Sequence, residues 1–107
     1  MTSKKTPAQK RTKVPRAVDL TRPFLKDWER LEHSGRYDLP RLKHAMMLLI
    51  ANDAPMPAEY SDHPLKGEWR DFRECHVGGD FLLIYRLPED GLIVFSRTGT
   101  HSELFRR

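Results

Sequence analysis

The chain is poor in the features that mark disulfide-rich, zinc-binding and membrane proteins. Its 107 residues include one cysteine, Cys75, which excludes an internal disulfide and leaves too few thiolates for a four-cysteine zinc site. The longest wholly apolar run, 45–51, is far shorter than the roughly 18 residues that span a bilayer. No apolar run follows the basic N-terminus, so we expect no secretory signal, no membrane contact and a cytoplasmic location.

Acidic residues are absent from the first 16 positions, which hold six lysines and arginines. The chain has a net charge of +4, so the remainder has a net charge near −2 and presents no uniformly basic face. Residues 1–14 contain almost no large apolar side chain, which is typical of disorder. We therefore predict a basic leader at 1–14, either a solvated extension or an arm that contacts nucleic acid, and a single domain at 15–107.

Two helices are predicted in the first half of the domain. Thr21 can cap the first helix, Pro23 suits its first turn, and Gly35 ends it. The second helix begins near Asp38 and ends at Asn52. Each segment carries apolar residues on one side, so both helices should pack against the same partner surface.

Strand-like runs occupy 17–20, 72–77, 81–87 and 92–97, and a polar, proline-rich loop covers 54–67. The turns at 78–79 and 88–91 are so short that they force antiparallel neighbours. The sequence therefore predicts an α+β fold in which two N-terminal helices pack on an antiparallel sheet of about four strands.

Five residues that suit acid–base and phosphate chemistry follow one another in the second half of the chain: His63, His76, Asp80, Arg97 and His101. Histidine can take and give a proton near neutral pH, and arginine can clamp a phosphate with two hydrogen bonds. The tight turn and the antiparallel strands should gather four of the five at one sheet edge, and His63 joins them if the loop folds over that edge.

This set predicts RNA cleavage without a metal ion or other cofactor, in which the 2′-hydroxyl attacks the adjacent phosphate. A zinc site is the rival use of His63, Cys75, His76 and His101. Adjacent residues of a strand point to opposite faces, so Cys75 and His76 are poorly placed to hold one ion.

The same residues form a recognisable pattern, which resembles the YafQ branch of the RelE superfamily, the mRNA-cleaving toxins of type II toxin-antitoxin systems. The resemblance runs from about Arg16 to Phe105. It is carried by Asp62-His63-Pro64-Leu65, Gly67, Trp69, Cys75-His76, Asp80-Phe81-Leu82-Leu83-Ile84-Tyr85, Arg97-Thr98-Gly99-Thr100-His101 and Leu104-Phe105.

The resemblance implies a RelE-like microbial ribonuclease fold, metal-independent cleavage of mRNA in the ribosomal A site, inhibition by a cognate antitoxin, and contact with DNA only through that antitoxin. The catalytic set it implies is His63, His76, Asp80 and His101, with Arg97 on the phosphate. His101 is the expected general acid, and either Asp80 or His63 is the expected base.

Substrate contacts are expected from two aromatic and two basic residues. Phe105 is expected near the site, and Phe81 stands where a tryptophan is usual, which keeps stacking area but loses an N–H donor. Lys66 and Arg73 are expected to meet RNA phosphates. The alternative function is a non-catalytic RNA- or antitoxin-binding module on the same fold, in which these two cations, together with Arg70 and Arg97, hold phosphate.

Overall fold

A computed structural model describes residues 14–105. Within that range the chain forms three helices and one five-stranded sheet, with two short 3₁₀ turns at Ala58–Tyr60 and Gly67–Trp69. No helix among the described residues has the length and apolar character needed to cross a membrane. The predicted leader lies, but for Val14, outside the described residues. The elements are β1 (Ala17–Leu20), α1 (Arg22–Ser34), α2 (Leu39–Ala51), β2 (His63–Pro64), β3 (Arg73–Gly78), β4 (Phe81–Glu89), β5 (Leu92–Thr100) and α3 (His101–Leu104).

The two long helices begin and end at the residues that the sequence indicates. The Thr21 side chain accepts from the backbone N–H of Phe24 to cap α1, and Asp38 caps α2 in the same way. Gly35 and Asn52 end the helices in the left-handed conformation. Both helix predictions are therefore confirmed.

The strand order is β1-β5-β4-β3-β2, which confirms the α+β class and corrects three details. β1 pairs with β5 in parallel, because α1 and α2 return the chain to the end of the sheet where β1 stops, and the antiparallel strands β2, β3, β4 and β5 then alternate in direction. Two residues of the predicted loop pair with β3 as the fifth strand. β5 continues to Thr100 instead of ending at Arg97.

The two faces of the sheet are covered differently. One, the helix face, packs Cys75, Leu83 and Phe95 against Phe24 of α1 and Leu42 of α2. The other, the open face, carries a smaller cluster built on Leu82, Ile84 and Leu104, with Leu65, Phe72 and Phe105 packed against it. Strand residues alternate between faces, so Glu74 and His76, next to buried Cys75, belong to the open face.

Candidate active site

A buried glutamate joins two of the predicted histidines. His63 on β2 lies directly opposite Glu74 on β3, and His76 follows Glu74 by two residues on the same face. Glu74 is 4% exposed, and its Oε2 lies 3.3 Å from His63 Nε2 and 3.1 Å from His76 Nε2. His63 Nδ1 lies 2.7 Å from the carbonyl oxygen of Ser61. Both ring nitrogens of His63 therefore face acceptor oxygens.

His101 is held by the aspartate of the glycine turn. Asp80 follows Gly78 and Gly79, and its Oδ1 lies 2.6 Å from His101 Nδ1 and accepts the His101 backbone N–H at 3.3 Å. The hydrogen bond from the His101 side chain lowers the pKa of Asp80 below its usual range. With Nδ1 turned to Asp80, Nε2 of His101 remains for proton exchange with a substrate.

The three histidines stand in one row of rings that two aromatic residues extend. The ring centroids of His63 and His76 are 5.8 Å apart, and those of His76 and His101 are 6.3 Å apart. Phe105 lies 5.9 Å beyond His101, and the Trp69 ring meets Phe105 edge-on at 5.0 Å. The loop does bring His63 to the other histidines, through the short strand β2.

Arg97 shares the open face with the histidines but is bound to a helix. It lies opposite Ile84, which in turn lies opposite Glu74, so about 10 Å, or two strand spacings, separates Arg97 from Glu74 along the sheet. Its Nε and Nη2 donate to Asp27 of α1 at 2.7 and 3.1 Å. Four of the five predicted catalytic residues are therefore in contact through their side chains. Arg97 makes no such contact and lies two strands away from Glu74 on the same face.

Of the predicted substrate contacts, Phe81 and Arg73 lie away from this row, and Lys66 lies beside Trp69, whose backbone N–H donates to the Lys66 carbonyl at 3.2 Å. Phe81 is 5% exposed on the helix face, where its ring packs 5.0 Å from Tyr37, so it has a packing role. Arg73 donates to Asp62 at 2.8 Å and to the Tyr85 hydroxyl at 3.1 Å, which fixes the start of β2. Lys66 is exposed at the entry to the second 3₁₀ turn.

The side chains that could hold a metal ion are not the set that the sequence suggested, because Glu74 takes part and Cys75 does not. His63, Glu74 and His76 offer ligand atoms within 4.8 Å of one another. Cys75 is fully buried on the helix face, and burial raises the pKa of its thiol to about 12. The thiol therefore stays protonated at neutral pH. Cys75 also lies on the opposite face of the sheet from His76, as the alternation of strand residues predicts.

Sequence reasoning missed Glu74, Trp69 and Asp27. The spacing Glu74-Cys75-His76 places the first and third residues on one face of any strand, so that signal was present in the sequence. Trp69 stands in the pattern that carries the resemblance, but it was given no role there, and its contact with Phe105 is a tertiary one. Asp27 reaches Arg97 from α1, and no local pattern marks it.

Comparisons with known proteins identify relatives of this chain. A family model described as bacterial toxin of type II toxin-antitoxin system, YafQ, matches residues 16–106. The mRNA interferase toxin YafQ of Escherichia coli strain B / BL21-DE3 is 44% identical over 92 residues, covering 86% of this chain and 98% of that protein.

Two solved structures show the same fold. The E. coli DinJ-YafQ toxin-antitoxin complex contains a chain 43% identical, with a TM-score of 0.76 and coverage of 86% of this chain and 99% of that one. A metal-bound toxin from Helicobacter pylori is 38% identical, with a TM-score of 0.74 and coverage of 84% and 99%. These matches confirm the resemblance seen in the sequence: the chain belongs to the YafQ family of bacterial toxins of type II toxin-antitoxin systems.

Proposed function

We propose that this protein is an endoribonuclease that cuts mRNA on the ribosome, without a metal ion, and so inhibits translation. The observation that carries the proposal is the row of His63, His76 and His101, with His76 and His101 each held through one ring nitrogen by a carboxylate. A histidine fixed in this way presents its other nitrogen for proton transfer. The E. coli relatives are named mRNA interferase toxins, which supports mRNA as the substrate.

Proton transfer can be assigned from the contacts of each group. His101 is the general acid: its Nδ1 is turned to Asp80, and Nε2 protonates the leaving 5′-oxygen. His76 is the better base, because its Nε2 donates to Glu74 and Nδ1 keeps its lone pair for the 2′-hydroxyl proton. The two bases expected from the sequence are less well placed than His76, because His63 faces acceptors with both ring nitrogens and Asp80 is bound to His101.

Charge and stacking complete the proposed site. Arg97 stabilises the negative charge that develops on the phosphate in the transition state. Phe105 and Trp69, at the end of the ring row beside His101, offer aromatic surface on which a nucleotide base can stack. Lys66, exposed near Trp69 in the chain, adds a cation for the RNA backbone.

Ribosome dependence is proposed from the weak charge of the folded domain. Beyond residue 16 the net charge is near −2, so the domain lacks the strong electrostatic attraction that would hold free RNA. If the ribosome already holds the mRNA, the toxin does not need to attract free RNA by charge. We expect the ribosome, with mRNA in its A site, to be the partner during cleavage.

A cognate antitoxin is the proposed inhibitor. The E. coli relative was solved in a complex with the antitoxin DinJ, which supports an equivalent partner for this chain. Contact with DNA then occurs only through the antitoxin. Co-expression with its cognate antitoxin should yield a complex that no longer cleaves mRNA.

The test compares a translating reporter mRNA with the same RNA free in solution, and wild type with His101→Ala. We expect cuts at defined codons in the translating mRNA, little cutting of free RNA, and no cuts from the variant. Equal cutting of both RNAs would overturn ribosome dependence. Binding of RNA or antitoxin without any cleavage would favour the non-catalytic module.

A second property, binding of a transition-metal ion, is supported by His63, Glu74 and His76. Imidazole and carboxylate groups are ligands for Zn²⁺ and Cu²⁺, and the H. pylori relative is described as metal-bound. An ion held by the two Nε2 atoms that face Glu74 would leave the proton of His76 on Nδ1, so that Nδ1 could no longer accept the 2′-hydroxyl proton. We expect EDTA to leave cleavage unchanged and added Zn²⁺ to lower it, whereas a requirement for added metal would contradict the proposed mechanism.

A further inference from the structure

Helix α1 takes the place of a strand along the second half of β5. β1 pairs with β5 only from Leu92 to Phe95. Beyond that point the Thr21 hydroxyl donates to the Ser96 carbonyl at 2.8 Å, and the backbone N–H of Thr98 donates to Asp27 Oδ2 at 3.1 Å. A side-chain carboxylate of α1 therefore supplies the acceptor that a neighbouring strand would otherwise provide.

Asp27 is buried and fully hydrogen-bonded. It is 3% exposed, and besides Thr98 it accepts from Arg97 Nε at 2.7 Å, Arg97 Nη2 at 3.1 Å and Arg30 Nη1 at 3.0 Å. Burial acts to raise the pKa of Asp27, but the hydrogen bonds from Arg97, Thr98 and Arg30 outweigh it, so the pKa lies below its usual range. The carboxylate stays ionised at neutral pH, with about four lone-pair positions in use.

We propose, on the basis of the proposed function, that Asp27 is a positioning residue that holds Arg97 in the orientation in which it meets the RNA phosphate. A guanidinium group has five N–H donors in a rigid plane. The fork of Nε and Nη2 on Asp27 fixes that plane and leaves the outer edge, with Nη1, for the substrate. Arg97 shares the open face with Glu74, so the free edge belongs to the side of the sheet that carries the histidines.

The same carboxylate is connected to the segment that bears His101. Arg30, bound to Asp27, also donates to Glu103 Oε1 at 3.2 Å. Glu103 accepts the backbone N–H of Thr100 at 2.8 Å in the capping box that starts α3. Asp27 and Arg30, neighbours on α1, thus connect the proposed phosphate cation to the element carrying the proposed general acid.

A double-mutant cycle separates positioning from general stability. The variants are Asp27→Asn, Arg97→Ala and the two combined, assayed by the single-turnover rate of cleavage of mRNA on programmed ribosomes. Misplacement of a catalytic group by about 1 Å costs about 10²-fold in rate, and we expect a loss of that order from Asp27→Asn. In the Arg97→Ala background the same change should cost only a small part of that loss, through the contacts of Arg30 and Glu103. Losses that multiply, or a wild-type rate for Asp27→Asn, would overturn the proposal.

Two additional measurements keep the result decisive. Leu31→Val, a buried change on the same helix, serves as the control for simple loss of stability and should keep the wild-type rate at temperatures where it is folded. NMR of the Arg97 Nε–H group, identified by its loss in Arg97→Lys, needs no activity. We expect slow hydrogen exchange in wild type and fast exchange in Asp27→Asn. Slow exchange in the variant would overturn the proposal even if the protein failed to cleave RNA.

Discussion

Replacement of His101 by alanine should abolish most cleavage and leave the fold intact. The His101 side chain is 53% exposed, and its contacts are the Asp80 carboxylate and the rings of His76 and Phe105. The capping box at the start of α3 uses Thr100 and Glu103, so it survives the change. A substitution at such an exposed position alters the free energy of unfolding by about 0.5 kcal/mol or less.

The expected effect on rate follows from the proposed role of His101 as general acid. Removing a general acid slows the chemical step by about 10²–10⁴-fold, which is an increase of about 3–5 kcal/mol in the activation barrier. The assay is the single-turnover rate of cleavage on programmed ribosomes, with thermal unfolding measured in parallel. His33→Ala is the matched control, because His33 is an exposed histidine of α1 bonded through Nδ1 to the Glu29 carbonyl.

The reasoning would be refuted if His101→Ala kept more than about a tenth of the wild-type rate, since that residual rate is too high for a missing general acid. It would also be refuted if the variant lost its rate and its thermal stability together while His33→Ala lost neither. Either result would remove His101 from the proposed chemistry, and the second would assign it a structural role.

Three further predictions concern stability. Gly99→Ala should lower the free energy of unfolding by about 1–3 kcal/mol, because Gly99 has a φ of 154° and a Cβ there would lie 2.6 Å from Glu103 Oε1. Denaturant unfolding measures this loss, and an unchanged midpoint would contradict the prediction. Tyr85→Phe removes the hydroxyl that donates to Asp62 and accepts from Arg73, so we expect a loss of about 1.5–3 kcal/mol and a fall in Tm of at least about 6 °C; calorimetry that finds no shift would refute this assignment. The lowered pKa of Asp27 contributes stability above the unfolded-state pKa of about 3.9, which is lost as the pH falls through the folded-state pKa. Asp27→Asn lacks that contribution, so its free energy of unfolding should fall less steeply with acid than that of wild type in urea titrations, and identical slopes would show the pKa assignment to be wrong.

The helices were predictable because their signals are local. A cap, a proline in the first turn and a residue able to adopt the left-handed conformation stand within each segment, as Thr21, Pro23 and Gly35 do for α1. The parallel pairing of β1 was not predictable in the same way. It depends on where α1 and α2 return the chain, and strand spacing alone gives only the antiparallel neighbours.

The candidate site likewise contains residues that local sequence places together and residues that only long-range contacts bring in. His76, Asp80 and His101 were expected together because a two-glycine turn and one antiparallel strand join them. His63 reaches them through two residues of pairing with β3 inside a segment that reads as a loop. The orientation proposed for Arg97 depends on its contact with Asp27, 70 residues earlier in the chain, and no sequence spacing indicates that contact.

Chemical analysis of the RNA ends made by the purified protein on a translating mRNA in EDTA tests the central claim most directly. Attack by the 2′-hydroxyl, with His76 as base and His101 as acid, predicts a 2′,3′-cyclic phosphate upstream of the cut and a 5′-hydroxyl downstream. It also predicts no cut where the attacking 2′-oxygen carries a methyl group. A 5′-phosphate end, or cleavage at the methylated nucleotide, would contradict the mechanism.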